Sequence, residues 1–300
     1  MINILVIGDI MLDKYTIGDV DRISPEAPVP IVKKSKEYVV LGGCGNVIRN
    51  LDQLDCKVYC KTIVGMGIHG KYLMRKLSEL KYFDDVFVKQ SILYNTTVKE
   101  RIISEYRFTQ MLRIDTESKS PQIIFTENEL DDIKTMDIDI IIISDYNKGV
   151  ITLELMNQVR KLNIPFIVDP KPSNDHMYFD AYAITPNDIE YIKMLNSDNA
   201  QEFKTYRYII HTMGAKGIEI INNANGSKIV IEADPVEVFN VSGAGDTVIS
   251  IIAFCIAKKN DMITACHIAN ECAHYVVTKP GTSVVPTETF NEIYIECGGV

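Results

Sequence analysis

Ile138-Asp-Ile-Ile-Ile-Ile-Ser144-Asp145 is the stretch that decides the fold. A continuous β-branched run bounded by acidic residues, without polar alternation, fits a strand buried on both faces, as in a parallel sheet covered by helices on each side. Short apolar runs of the same kind recur at Ile2 to Ile7, Lys57 to Val64, Phe166 to Asp169, Ala181 to Thr185 and Tyr208 to Thr212, with helical patterns between most of them. The alternation predicts an α/β fold with a mostly parallel central sheet. Two stretches break it: residues 14–40, which contain the Pro-rich Ser24-Pro-Glu-Ala-Pro-Val-Pro30, and residues 91–115, which carry Thr96, Thr97 and Val98. Both read as extended strands that project from the main sheet as a small β-lid. No internal repeat, low-complexity tract or linker marks a second unit, so one domain over residues 1–300 is expected.

With 300 residues and 46% hydrophobic content the chain can fill one large α/β core. Its formal net charge of -9 argues against a nucleic-acid partner, which would need clustered Lys and Arg. The start Met1-Ile-Asn-Ile-Leu-Val-Ile-Gly-Asp9 lacks a basic n-region and a small-residue cleavage site, and no run reaches 18 apolar residues. No membrane partner is therefore expected. Seven cysteines without a Cys-x-x-Cys pair read as reduced thiols of a cytoplasmic protein. Cys56, Cys60 and His69 invite a metal reading, but the ligand spacing of structural zinc sites is missing.

Gly65-Met-Gly-Ile-His-Gly70-Lys71-Tyr72 follows a strand and satisfies G-x-G-x-x-G. It leaves a nicotinamide dehydrogenase open, with Asp84 or Asp85 in the window for a ribose-binding acid, beside the plainer reading of a strand-to-helix turn. A P-loop it is not, because Tyr72 stands where Ser or Thr must hold magnesium.

A stronger signal is Asn240-Val-Ser-Gly243-Ala244-Gly245-Asp246-Thr247, directly ahead of the apolar helix Val248 to Ile256. Small residues allow a sharp turn whose N–H groups face an anion at the helix start. Asp246, beside a phosphate bound there, could take the proton of an attacking hydroxyl while the turn amides stabilise the transferred phosphoryl group. The competing reading is a helix cap with glycine in the turn. Ligands of open α/β sheets bind outside the carboxyl ends of the strands, where Asp9, Asp145, Asn187 and Thr212 fall.

Gly-Ala-Gly-Asp before an apolar helix resembles the second signature of the ribokinase-like, or PfkB, sugar kinases, and the resemblance extends over nearly the whole chain. It implies a three-layer ribokinase-like fold with a small β-lid, and phosphoryl transfer from ATP to an alcohol group of a sugar. Gly42-Gly43-Cys44-Gly45-Asn46 is similar to the family's N-terminal Gly-Gly-x-x-Asn signature, implying sugar-hydroxyl contacts from Gly42, Gly43 and Asn46. Gly8-Asp9 with Asp13 matches the acidic sugar-binding end of the first strand. Asn187-Asp-Ile-Glu190 matches the motif that organises Mg2+ and phosphate, with Glu190 the metal candidate. Thr212-x-Gly214-x-x-Gly217 is similar to the nucleotide-phosphate loop, and Asn270 with the Gly281-Thr282-Ser283 loop resembles the adenine-side wall.

Within that family the likeness extends to the heptose 7-phosphate kinases, through Gly8 to Tyr15, Arg22-Ile-Ser-Pro-Glu-Ala-Pro-Val-Pro30, Ser144-Asp-Tyr-Asn-Lys-Gly149, Asp169-Pro-Lys171 and Lys279-Pro-Gly-Thr-Ser283. It implies phosphorylation of O1 of D-glycero-D-manno-heptose 7-phosphate, a lipopolysaccharide precursor, to the 1,7-bisphosphate. Relatives often carry a C-terminal nucleotidyltransferase; no His-x-Gly-His occurs here, so the kinase half alone is expected. A sugar phosphate needs cations, and Arg22, Lys99, Arg101 and Lys171 are the candidates near lid or cleft motifs. Lids of this kind often pair, so a homodimer through the β-lid is expected. Asn240, Cys44 with Gly45, and Pro172 depart from the family's usual residues and leave the monovalent-ion site and one loop shape open. Another sugar as acceptor, and a sugar-sensing protein without catalysis, are the remaining alternatives; the second would dispense with Asp246.

Overall fold

A computed structural model describes residues 1–299. Its main sheet runs, from edge to edge, through Ser227–Ile231, Ile218–Asn222, Tyr208–Thr212, Ala183–Ile184, Phe166–Asp169, Ile140–Ser144, Asn3–Gly8, Lys57–Gly65 and Phe83–Asp84, and Val88–Ser91 also pairs with Lys57–Gly65. Every pairing is parallel except the two at the Ser227–Ile231 edge. The all-isoleucine strand lies in the middle, with Ile141 opposite Leu5 on one side and Phe166 on the other.

Alternating side chains explain why that strand has no polar face. Ile4, Val6, Ile140 and Ile142 enter one core, with Val47, Ile48 and Leu51 of helix Cys44–Gln53, Ile249 and Ile252 of helix Ala244–Ala257, and Ala265 and Ala269 of helix Met262–Val277. Leu5, Ile7, Ile141 and Ile143 enter the other, with Ile133 of helix Glu127–Thr135, Leu155, Met156 and Val159 of helix Leu153–Lys161, and Met194 of helix Asp188–Leu195. Three layers with two cores follow from the period of two in a doubly covered strand. The ribokinase-like expectation holds.

A separate four-stranded sheet runs in the order Pro30–Gly43, Ile10–Ile23, Thr97–Ser104, Thr109–Thr116. Asp9 alone joins sheet strand Asn3–Gly8 to lid strand Ile10–Ile23, so the lid starts sooner than residue 14. Ser91 stays with the main sheet, opposite Gly65, and the second lid hairpin starts at Thr97. The lid has a core of its own around Tyr15, Ile17 and Ile103, with Tyr15 stacked on Tyr38 at 4.8 Å. Its outer strand Thr109–Thr116 is exposed along its whole length.

Candidate active site

Helix Ala244–Ala257 starts from Gly243, which adopts φ 87° and presents its backbone against Asn46. A Cβ there would lie 2.8 Å from Asn46 Nδ2, so only glycine fits both the left-handed turn and the close approach. Past that turn the N–H groups of Gly245 and Asp246 have no backbone acceptor among the described residues, none of which lies within 4 Å of where a Gly245 Cβ would be. Two free amides therefore face open space at a helix start, an anion-binding arrangement.

Asp246 occupies the first turn of that helix and is 5% exposed. Asn46 Nδ2 donates to its Oδ2 at 2.9 Å, and the Tyr146 hydroxyl donates to its Oδ1 at 2.8 Å. Burial pushes the carboxyl up to about 6, against the pull of those two donors. At neutral pH it is ionised and close to its titration range, the condition of an effective general base. Burial and Asp246 hold the Tyr146 phenol well above its ordinary range, so it remains the donor. Asn46 is oriented in turn by Arg49, whose Nη1 donates to Asn46 Oδ1 at 3.1 Å and to the Thr282 carbonyl at 3.2 Å. Tyr15 of the lid pairs with the Thr282 hydroxyl at 2.9 Å, tying the lid to the loop containing Gly281.

Asp9 and Asp145 end adjacent strands and shape the loop between them. The Asp9 carboxylate accepts from the backbone N–H groups of Tyr146, Lys148 and Val150 at 2.9, 3.0 and 3.1 Å. Asp145 accepts from Asn147 N at 2.6 Å, Asn174 Nδ2 at 2.7 Å and the Tyr178 hydroxyl at 2.5 Å. Both acids thus fix the segment that presents Tyr146. Asp9 holds this loop through three amides, a role beside the sugar contact that the resemblance implies for it. Gly42 and Gly43 approach Asp13 and the Asp9 carbonyl so closely that a Cβ would clash at 2.4 and 2.3 Å, so their smallness serves the lid junction.

The expected cations separate. Arg101 Nη1 binds Asp13 Oδ1 at 2.6 Å. Lys171 pairs with Glu190 and lies 5.5 Å from the Tyr146 ring centre. Lys99 approaches the same ring at 5.2 Å and has no carboxylate partner among the described residues. Arg22 is exposed toward the end of its lid strand, opposite Ile31, and no bond draws it to the cleft. Among the described residues no contact joins Arg22 to the other cleft cations.

On the nucleotide side, Asn187 caps helix Asp188–Leu195 by accepting from Ile189 N and Glu190 N, both at 3.0 Å, while Asn187 N donates to Glu190 Oε2 at 3.1 Å. The motif is a capping box as well as a candidate metal site. Asp169 lies close enough to Glu190 and Lys171 to interact electrostatically, with burial pushing its carboxyl up to about 8 although Lys171 opposes the shift. No hydrogen-bond donor meets its side chain among the described residues, and such a buried carboxylate fits a nearby divalent cation. Thr212 ends its strand beside Asn187, Gly214 borders open space, and Gly217 packs so closely that a Cβ would lie 2.0 Å from the Ile231 carbonyl. Asn270 donates to the Glu232 carbonyl at 3.0 Å, and Gly281 turns at φ 71° beneath Tyr38.

The geometry gives the dinucleotide expectation no support. Gly65 N donates to Thr96 Oγ1 at 3.0 Å, a Cβ at Gly70 would sit 1.6 Å from the Gly65 carbonyl, and Asp84 pairs with Lys57 at 2.9 Å. Gly65 and Gly70 thus serve the tight packing of a turn, and Asp84 is held in an ion pair. Tyr146, Arg49 and Asp169 are the site residues that motif spacing did not assign. Tyr146 and Asp169 lie inside segments that carry the family resemblance, so a signal was there; Arg49 gives none, being one charge on a helix.

Comparison with known proteins follows the same lines. A model described as pfkB family carbohydrate kinase matches residues 1–289. "Bifunctional protein HldE" of Campylobacter jejuni (strain RM1221) is 38% identical over 310 residues, covering 97% of this chain and 64% of that protein. The protein of the same name from Bradyrhizobium diazoefficiens is 36% identical over 304 residues, covering 95% of this chain and 61% of that one. The chain thus spans somewhat under two thirds of the length of these curated relatives. Among solved structures, Arabidopsis thaliana ribokinase complexed with ribose and ATP superposes with a TM-score of 0.78 at 16% identity, covering 98% of this chain and 99% of that one. Escherichia coli phosphofructokinase-2 in complex with substrates and products gives 0.76 at 18%, covering 99% of each. At these identities the likeness shows the fold.

Proposed function

The chain belongs to the pfkB family of carbohydrate kinases, ATP-dependent phosphotransferases with an alcohol acceptor, and we propose that its acceptor is a heptose 7-phosphate phosphorylated at O1. Membership leaves the dehydrogenase alternative without support. The observation that carries the reading is the pairing of a buried, nearly neutral-titrating Asp246 with two free amides at one helix start. Asp246 takes the proton from the acceptor hydroxyl as the Gly245 and Asp246 N–H groups, in the turn built by Gly243 and Ala244, stabilise charge on the transferred phosphoryl group. Lys171 beside Glu190 adds positive charge to the same space.

Residues 1–300 act as one kinase unit, in which Glu190 and Asp169 would hold Mg2+, and the ion would neutralise phosphate charge. Asp13, Arg101 and Lys99 line the lid side of the sugar cleft, and Thr212, Gly214 and Gly217 the nucleotide side. The heptose assignment rests on the Arg22–Pro30, Ser144–Gly149 and Asp169–Lys171 segments and is supported by the relatives named HldE. Seven unpaired cysteines support a reducing, cytoplasmic setting. No helix among the described residues is long and apolar enough to cross a membrane. Exposed Met111, Leu112 and Ile114 on the outer lid strand support a homodimer through the lid.

The test is turnover with ATP and Mg2+ over a panel of heptose 7-phosphate, free heptose and fructose 6-phosphate, with the product's phosphate located by NMR. Heptose 7-phosphate should exceed both others by more than tenfold in kcat/KM, since one charge-assisted contact contributes about 1.5–3 kcal/mol. Equal turnover of fructose 6-phosphate would leave a sugar kinase with a different acceptor.

A further inference from the structure

We propose that Lys99 is the residue that binds the acceptor's own phosphate, at the end of the cleft opposite the reacting hydroxyl, and that it sets a preference for phosphorylated over free sugars. The inference rests on the kinase reading above and deepens it.

Among the described residues the other cations in the cleft are already engaged: Arg49 donates to Asn46 Oδ1 and the Thr282 carbonyl, and the rest have carboxylates. Arg101 binds Asp13 at 2.6 Å, Lys171 binds Glu190, and Lys148 Nζ meets Glu117 at 2.6 Å. Arg113 forks onto Asp115 with two bonds of 2.9 Å. Lys99 has none, although it is half-buried between the lid and the Tyr146 ring. Burial lowers its pKa below the ordinary lysine range; Asp13 and Asp115 oppose the shift, and Lys148 and Arg113 reinforce it. A desolvated ammonium facing like charges is costly unless an anion joins it. A phosphate dianion supplies that charge and accepts from all three of its donors.

The position matches the reaction's geometry. The Tyr146 ring stands between the two functions, with its face toward Lys99 and its hydroxyl on Asp246. An acceptor lying along that ring would place its phosphate at Lys99 and its far hydroxyl at Asp246, so remote binding orients the reacting end. An acceptor of this kind is a phosphomonoester whose phosphate and reacting hydroxyl lie at opposite ends of the sugar. Lys171, on the Glu190 side of the same ring, is left to the transferred phosphoryl group.

Wild type and Lys99→Met are to be compared on one sugar with and without its distal phosphate, using heptose 7-phosphate and free heptose, with Lys99→Arg as the charge-retaining control. The ratio of kcat/KM between the two acceptors should fall more than tenfold in Lys99→Met, chiefly through KM of the phosphorylated sugar, and Lys99→Arg should restore part of it. A Lys99→Met enzyme that keeps the wild-type ratio, or loses both acceptors equally, overturns the Lys99 assignment while leaving the kinase reading intact. A wild type indifferent to the phosphate overturns the sugar-phosphate reading itself, and this assignment with it.

Discussion

Tyr146 donates its phenolic hydrogen to Asp246 across 2.8 Å, although the two residues lie 100 positions apart. One comes from the loop after the central isoleucine strand and the other from the start of a buried helix. Asn46 holds the second carboxylate oxygen, so the base is fixed from two directions before any acceptor arrives.

Removal of that phenol should change the pH profile. A donor to a carboxylate favours the ionised form, so Tyr146→Phe raises the pKa of Asp246 above its present value of about 6. Asp13 acts in the same direction as the substitution, while Asn46, Lys171 and Arg49 oppose it. Because Asp246 must be ionised to accept a proton, the acid limb of kcat/KM should move to higher pH by about one unit, the size of one lost hydrogen bond. Activity near pH 6 should fall more than activity at pH 8. A limb at the wild-type position would show that Tyr146 does not tune the base.

Gly243→Ala should cost stability as well as turnover. Its φ of 87° is strained for alanine, and the new methyl would press on Asn46 Nδ2 and Thr282 Cγ2 at 2.8 and 2.9 Å. A loss of about 1–3 kcal/mol is expected, read as a lower denaturant midpoint at unchanged slope. An unchanged midpoint would mean that the turn relaxes freely.

The outer lid strand should mediate association. Leu112 and Ile114 share one face of Thr109–Thr116 and are 56% and 46% exposed. Sedimentation at micromolar concentration should give a dimer, and Leu112→Glu should shift it toward monomer. A monomeric wild type, with or without substrate, would contradict the lid interface.

Much of the fold was legible because its strongest signal is local. A strand of four consecutive isoleucines has no polar face to expose, and the small-residue turn before Asp246 announces a helix start. The lid's extent was less legible, since Asp9 joins sheet strand to lid strand without a break that composition could mark. Roles at the site were legible only where one motif acts alone. Asp9 read as a sugar ligand, while its hold on three amides of a loop more than 130 residues away left no local signal. Arg22 read as a cleft cation from its motif alone, since periodicity does not reveal how far a lid strand carries a side chain. The Gly65–Gly70 fingerprint misleads for a related reason: glycine required by tight packing looks in sequence like glycine required by a cofactor.

The central claim is that Asp246 removes the proton from the acceptor hydroxyl, and Asp246→Asn measures it most directly. The amide keeps the size of the side chain and can still accept from Tyr146, although its Nδ2 then meets the Asn46 donor, so a modest loss of stability is expected while folding and ATP binding are kept. ADP release with heptose 7-phosphate at saturating ATP and Mg2+ should drop by about two orders of magnitude or more, the contribution of a general base. Turnover near the wild-type rate in a folded, ATP-binding Asp246→Asn enzyme would contradict the account.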